Sequence, residues 1–388
     1  MLATESRGRE HGQTAGMLRT TWAQVVAWRM RQQWVDRPGK GSTVDIVRRL
    51  CGVQSQVPSA AALAVAMRQA KPDTQGVHHA LEQKQLMRTW AMRGTLHTLP
   101  PDQAGAFLSL CAATRSWEKG AWQRVFKVKP DEMVELVAVV GEILDGEVLT
   151  RDELVTAIVA RLDQPHLEEE LRSGWGTLLK PIAWQGMLCH GPSRGTKVTF
   201  TRPSSHYPTW GGVPEPDEAA ATAVPAYLRA YGPASPETFD AWVSRSGNRK
   251  APLRSWFTDR GDDLATVDVE GEELYLNADD VDALAATKPA SAATVRLLPG
   301  FDQYVLGPGT KATEIVPAAH RGAVSRAAGW IAPVVVAGGR VIGVWEVTDD
   351  TAAVQLWDDA EAPDRKALDA EVERVGRLVR RTPETESA

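Results

Sequence analysis

The feature that most constrains this chain is a local order that recurs three times: helices opened by polar or proline starts, then two short β-prone runs around a Gly-containing or basic turn. In the first copy, Thr20 or Thr21 caps the amphipathic stretch TWAQVVAWRMRQQWV, and Arg37 to Gly41 forms a Gly-rich turn. Helices are predicted over Thr43 to Leu50, Ser59 to about Gln69 and Val77 to Gln85, after which LMRTWAMRGTLHTLP reads as two strands and a turn. A helix from about Asp102 to Trp117 leads out. In the second copy VLTRDELVTAIVARL is a capped helix, EEELRSGWGTLLKPIAWQGML a second helical stretch, and LCHGPSRGTKVTFTRP a hairpin. In the third, a helix from Ala219, the helices PETFDAWVSR and LRSWFTD, and the strands of LATVDVEGEELYLN repeat the order. Helices followed by a strand pair describe a winged helix.

After residue 292 the pattern turns β: TVRLLPGFDQYVLG, a hairpin in IAPVVVAGGRVIGVWEV with Gly338 and Gly339 at its tip, and AAVQLW, closed by a helix from about Asp364 to Arg381. The expected fold class is therefore α+β. Residues 1–16 form a polar tail, 17–130, 131–210 and 211–291 three tandem winged-helix (helix-turn-helix) units, and 292–388 a β-rich subdomain. Pro-rich connections at Pro203 to Pro216 and at Lys288 to Ser291 bound the third unit.

Charge is uneven. The formal net charge is −5, yet residues 1–130 carry 19 Lys and Arg against 8 Asp and Glu, a balance that fits a phosphate-facing surface. The expected DNA-contacting residues are Arg88, Arg93 and His97 in the first hairpin, Arg194 and Lys197 in the second, and Arg340 beside the Gly pair. No apolar run approaches membrane-spanning length and the polar start has no signal-peptide core, so a cytoplasmic, nucleoid-associated protein is expected. The three cysteines, Cys51, Cys111 and Cys189, are far apart with no CxxC pair, which argues against a disulfide framework or a thiolate zinc site. No metal and no cofactor are expected. GPSRGTK and PGKGST miss the spacing of a phosphate loop, and His78 and His79 read as surface residues.

The stretch GVQSQVPSAAALAVAMR places two amides at a helix entrance, because Pro58 disfavours helix at Val57 and starts one after it. In an extended backbone Gln54 and Gln56 project to one side and Ser55 to the other. They either cap the turn or address a small target. Asp302, in PGFDQY, is a candidate second carboxylate, although Asp at such a turn usually bonds its own backbone. Core packing is the default account of Trp22, Trp28, Trp34, Trp90, Trp242 and Trp256.

From Met17 to Trp357 the chain resembles the AlkZ-like DNA glycosylases, on GVQSQVPSAAALAVAMR, RTWAMRGTLHTLP, YGPASPETFDAW, LLPGFDQYVLG and WIAPVVVAGGRVIGVWEV together. The resemblance implies three tandem winged helices and a β-rich part forming a C-shaped body, and excision of alkylated purines, in some members from interstrand crosslinks. The family's Gln, aliphatic, Gln or Asp signature falls on Gln54, Ser55 and Gln56, which makes the outer amides the implied catalytic residues and Ser55 a departure at the middle position. It also implies that the hairpin at Gly338 to Val341 probes the minor groove. A purine alkylated at N7 is already a cationic leaving group, so amides that position a water would suffice. The expected partner is damaged double-stranded DNA, bound by a monomer. A non-catalytic winged-helix transcriptional regulator remains the alternative, although three unlike units in one chain suit an asymmetric clamp better than half-site reading.

Overall fold

The computed structural model describes residues 17–162, 164–172, 176–348 and 351–382; the expected tail, residues 1–16, lies outside them. Short polar residues start helices as the sequence predicts. Thr21 caps Trp22–Gln32, Ser42 caps Thr43–Arg49 and Thr150 caps Arg151–Arg161, each reciprocated by the side chain three residues on. Proline at the first helical position starts Pro58–Ala66, Pro101–Ala112, Pro130–Ile143, Pro216–Tyr231 and Pro236–Ser244, where its missing N–H has no partner to lose.

One order of elements returns along the chain. Thr43–Arg49, strand Val53–Gln54, Pro58–Ala66, Gly76–Glu82 and the hairpin Met87–Trp90 with Leu96–Leu99 form the first copy. The second consists of Pro130–Ile143, strand Leu149–Thr150, Arg151–Arg161, Leu167–Arg172, Leu179–Trp184 and the hairpin Cys189–His190 with Thr199–Thr201. In the third, Pro216–Tyr231 is followed by a single bridge from Ala234 to Tyr275, Pro236–Ser244, Lys250–Thr258 and the hairpin Leu264–Val269 with Glu272–Asn277.

Two pairings cross the expected unit boundaries. Arg88 pairs with His190, so the first two hairpins and the strands Val53–Gln54 and Leu149–Thr150 join into one six-stranded sheet. Isolated hairpins this short are marginal, and edge pairing gives their backbone groups partners. Leu18–Thr20 pairs in parallel with the third hairpin, not with the first unit. The helix after it sends Val25 and Trp28 to Val267, Val269 and Leu276, and Val26 and Met30 to Phe301, Tyr304, Val334 and Val336. Apolar on two faces, that helix thus packs at the junction between the third copy and the C-terminal part, while Arg49 and Arg68 of the first copy bond its C-terminal end.

The C-terminal part is an antiparallel sheet of Val295–Leu298, Val334–Ala337, Arg340–Thr348 and Thr351–Leu356, with Arg365–Val379 packed on it. It reaches the Gln-bearing stretch through Pro58–Ala66. Ala61 and Val65 of that helix pack on Ile46, Val47 and Leu86, while Leu63 and the following Met67 pack on Val295, Trp345, Leu368 and Val375. Covered on both sides, the helix can be apolar all round.

Arg68, just beyond it, makes a fully buried bidentate pair with Asp302 at 2.7 and 2.8 Å and also donates to the carbonyls of Gln33 and Ala64. Asp302 accepts from the backbone N–H of Tyr304 at 2.8 Å as well, capping the short helix Gln303–Leu306. Its proposed auxiliary role at the site is thereby corrected: both oxygens are committed inside the protein. No described helix is long and apolar enough to cross a membrane. Asp302→Ala should lose about 3–5 kcal/mol of stability, the cost of leaving Arg68 buried without its partner. Urea melts read the loss, and a shift below about 1 kcal/mol would contradict this account.

Candidate active site

Gln54 ends a two-residue strand whose register places it opposite His97, and the N–H of Ser55 continues the pairing to the carbonyl of Leu96 at 2.8 Å. Pro58 then starts the helix, so the chain turns at Gln56. Ser55 is buried, with no partner for its hydroxyl. Gln54 is only 6% exposed. Gln56 is half-buried and makes no hydrogen bond to a described residue.

The Gln54 amide is held in one orientation. Arg93 Nη2 donates to Gln54 Oε1 at 3.1 Å and Nη1 donates to the carbonyl of Trp242 at 2.9 Å. A guanidinium only donates, so the amide oxygen must face it and Nε2 must face away. Arg93 has a left-handed backbone (φ 59°) in the three-residue turn of the first hairpin, which directs its side chain across to the third copy. Burial lowers its pKa to about 10, opposed first by Tyr231 and reinforced to a lesser degree by the charge of Arg245; it stays charged at neutral pH.

Other expected contacts are placed differently from the sequence reading. His97 is fully buried, with Nδ1 3.0 Å from the carbonyl of Thr95 and Nε2 unpartnered. Burial first, then the Arg93 charge, lower its pKa to about 3, so it is a neutral residue beneath Gln54 and not a phosphate contact. Arg93 is likewise corrected from a phosphate ligand to a partner of Gln54. Arg88 is half-buried at the seam where the two hairpins join, its Nε without a partner. Arg194 and Lys197 are exposed at the tip of the second hairpin, as expected, with Arg194 paired to Glu153 at 3.0 Å.

Gly338 and Gly339 do form a tight turn with positive φ, 56° and 90°. The tip is seated, however: Tyr304 Oη donates to the carbonyl of Gly339 at 2.6 Å, and a Cβ on Gly339 would lie 2.1 Å from Val26 Cγ1. Any reach into a groove from here falls to the exposed side chain of Arg340 alone.

Sequence reasoning missed an apolar groove of about 640 Å³ beginning at Val57 and Ser59, walled by Phe301, Trp330 and Trp345. Trp330 is 43% exposed and meets Phe301 edge-on at 5.0 Å. Its only signal was a tryptophan outside any amphipathic pattern. Among the described residues no group of three His, Cys, Asp or Glu could hold a metal ion.

Ser55→Ala should raise the melting temperature, since an unpartnered buried hydroxyl costs about 1–3 kcal/mol; a lower one would show that Ser55 has a partner. His97 and the equally buried His190 both have pKa values lowered from 6.5 to about 3, chiefly by burial. The unfolded chain therefore binds protons that the native state refuses, and stability should fall as pH drops from about 6.5 towards 3. His190→Phe, beside Trp90 and Phe200, should flatten that slope in melts at stepped pH; an unchanged slope would exclude His190 as a source.

A family model described as DNA glycosylase AlkZ-like matches residues 47–378. A curated relative, the interstrand DNA cross-link repair glycosylase of Streptomyces sahachiroi, is 53% identical over 361 residues, 93% of this chain and 97% of its own. The solved structure of Streptomyces sahachiroi DNA glycosylase AlkZ matches with a TM-score of 0.90 at 52% identity, over 93% of this chain and 97% of that one. A match of this extent sets aside the non-catalytic regulator, and with the α+β arrangement above it gives the assignment: the chain belongs to the AlkZ-like DNA glycosylase family.

Proposed function

We propose that this DNA glycosylase hydrolyses the N-glycosidic bond of purines alkylated at N7, including those joined in an interstrand crosslink, with Gln54 and Gln56 at the reacting bond. The observation that carries the reading is the amide pair itself: one amide fixed by a guanidinium, the other half-open and unpartnered, two residues on. The relative's printed name, which specifies cross-link repair, supports the crosslink as substrate. The three helix-and-hairpin repeats support three tandem winged helices, with the exposed Arg194 and Lys197 and the side chain of Arg340 as contacts to duplex DNA.

On this reading the two amides divide the work. Amides are not general bases at neutral pH, and a cationic N7-alkylpurine needs no proton from the enzyme to leave. Gln56, with its carbonyl uncommitted, accepts from the attacking water and lays partial negative charge beside the oxocarbenium-like sugar. Gln54 turns its Nε2 hydrogens outward and donates, to the water oxygen or to an acceptor on the lesion, while one lone pair of its oxygen remains with Arg93. Selectivity follows from the leaving group: normal purines, which depart as anions, find no acid here.

The test is release from a methylated duplex and unhooking of a crosslinked one, read as alkali-labile breaks and as separated strands. Gln56→Ala should lose about 10- to 1000-fold in single-turnover rate, the range for one oriented polar group, with duplex affinity kept. Its stability should move by no more than about 0.5 kcal/mol. Gln54→Ala should show a comparable rate loss together with about 1–3 kcal/mol of stability, because Arg93 loses a partner. Near-normal turnover per folded molecule in Gln56→Ala would reduce the pair to a structural turn.

A further inference from the structure

A cleft of about 360 Å³ lies on the other side of Arg93, where parts of all three repeats meet: the first hairpin turn, helix Leu179–Trp184 and the turn after Pro236–Ser244. Four cations line it: Arg93, Lys119, Lys180 and Arg245. None of them makes an ion pair with a described residue. Burial lowers the pKa of the half-buried Lys180, and the charge of Arg245 lowers those of both Lys180 and Arg93. The neighbouring carboxylate, Asp240, is itself buried and taken up by Ser244 Oγ and, at 2.8 Å, by Asn248 Nδ2.

Like charges gathered without a counter-charge repel one another until an anion joins them. The cationic lesion base is repelled by the same charges, so the fitting occupant is the anionic part of the substrate. We infer that this cleft seats a backbone phosphate of the DNA, held by Lys180 and Arg245 with Lys119 at the rim. Arg93, whose Nη groups are committed to Gln54 and Trp242, adds charge to the cleft while bonding the amide. A phosphate seated there fixes the register of the strand against the Gln54–Gln56 turn, and Trp122 and Trp184 give the adjoining sugar an apolar wall. The inference rests on the glycosylase reading only in taking duplex DNA as the ligand.

The test is the affinity of the full chain for undamaged duplex, measured by fluorescence anisotropy across a salt series. Lys180→Gln with Arg245→Gln should raise Kd at low salt about 10-fold and make the slope of log K against log salt shallower by about 0.9, the value for one phosphate. Lys366→Gln, an exposed lysine on the closing helix, should leave both unchanged. If the pair melts early, Arg245→Gln alone carries the test, since its side chain is exposed and its αL backbone suits Gln as well as Arg. A wild-type slope and Kd in these variants would overturn the assignment. So would unchanged duplex binding together with loss of calorimetric binding of inorganic phosphate, which would assign the cleft to a free anion. Excision is not read, so failure of the lesion chemistry would leave this result standing.

Discussion

The Gln-bearing turn depends on an ion pair it does not touch. Arg68 and Asp302 are both fully buried, and between them they bind the end of helix Pro58–Ala66, the end of helix Trp22–Gln32 and the start of Gln303–Leu306. Removing two charges from water is expensive, and the pair is tolerable because every nitrogen and oxygen of the two charged groups has a hydrogen-bond partner. Its effect is positional. The helix that follows Gln56 cannot slide along the C-terminal sheet without uncovering a charge, so the turn is held at a fixed place between its own core and that sheet. Arg93 then ties the turn to the third copy through Trp242, a tie that no single repeat could make.

Much of this was legible in the sequence because local chemistry decided it. Thr21, one of the two threonines expected to cap the first helix, does so, the helix Arg151–Arg161 is capped as expected, and Gly338 and Gly339 turn where a Gly pair should. Burial along the turn does not simply alternate: Gln54 and Ser55 are both buried and Gln56 is half-buried. What was hidden was long-range pairing. Nothing in RTWAMRG distinguishes an arginine aimed at a phosphate from one folded back 39 residues in sequence onto Gln54. The left-handed φ of Arg93 makes that difference, and a non-glycine residue gives little warning of it.

Burial misled in the same way. His97 sits in a basic hairpin and reads as a DNA contact, yet strand pairing on both sides, with Thr89 and Gln54, closes over it. Leu18–Thr20 and Arg88 show the same limit: their partners, Leu264–Val269 and His190, come from other repeats and are chosen by sheet edges that exist only once the repeats have assembled. The apolar groove at Trp330 escaped because an exposed tryptophan has no periodic signature.

The position of Arg93 explains why an amide, and not a carboxylate, suits position 54. A carboxylate there would form an ion pair with the guanidinium in a half-buried setting, turning both acceptor oxygens inward and leaving nothing to donate outward. An amide satisfies Arg93 with its oxygen and still presents two hydrogens to the site. In the proposed mechanism the negative end of the pair then comes from residue 56, whose side chain makes no hydrogen bond or ion pair with a described residue and can present its oxygen to a developing positive charge. On the proposed mechanism position 54 is constrained by the protein behind it, position 56 by the reaction in front of it. A carboxylate at 56 would keep the acceptor this chemistry needs, whereas one at 54 would remove the donor, so tolerance to acidic replacement should differ sharply between two residues that look equivalent in the sequence.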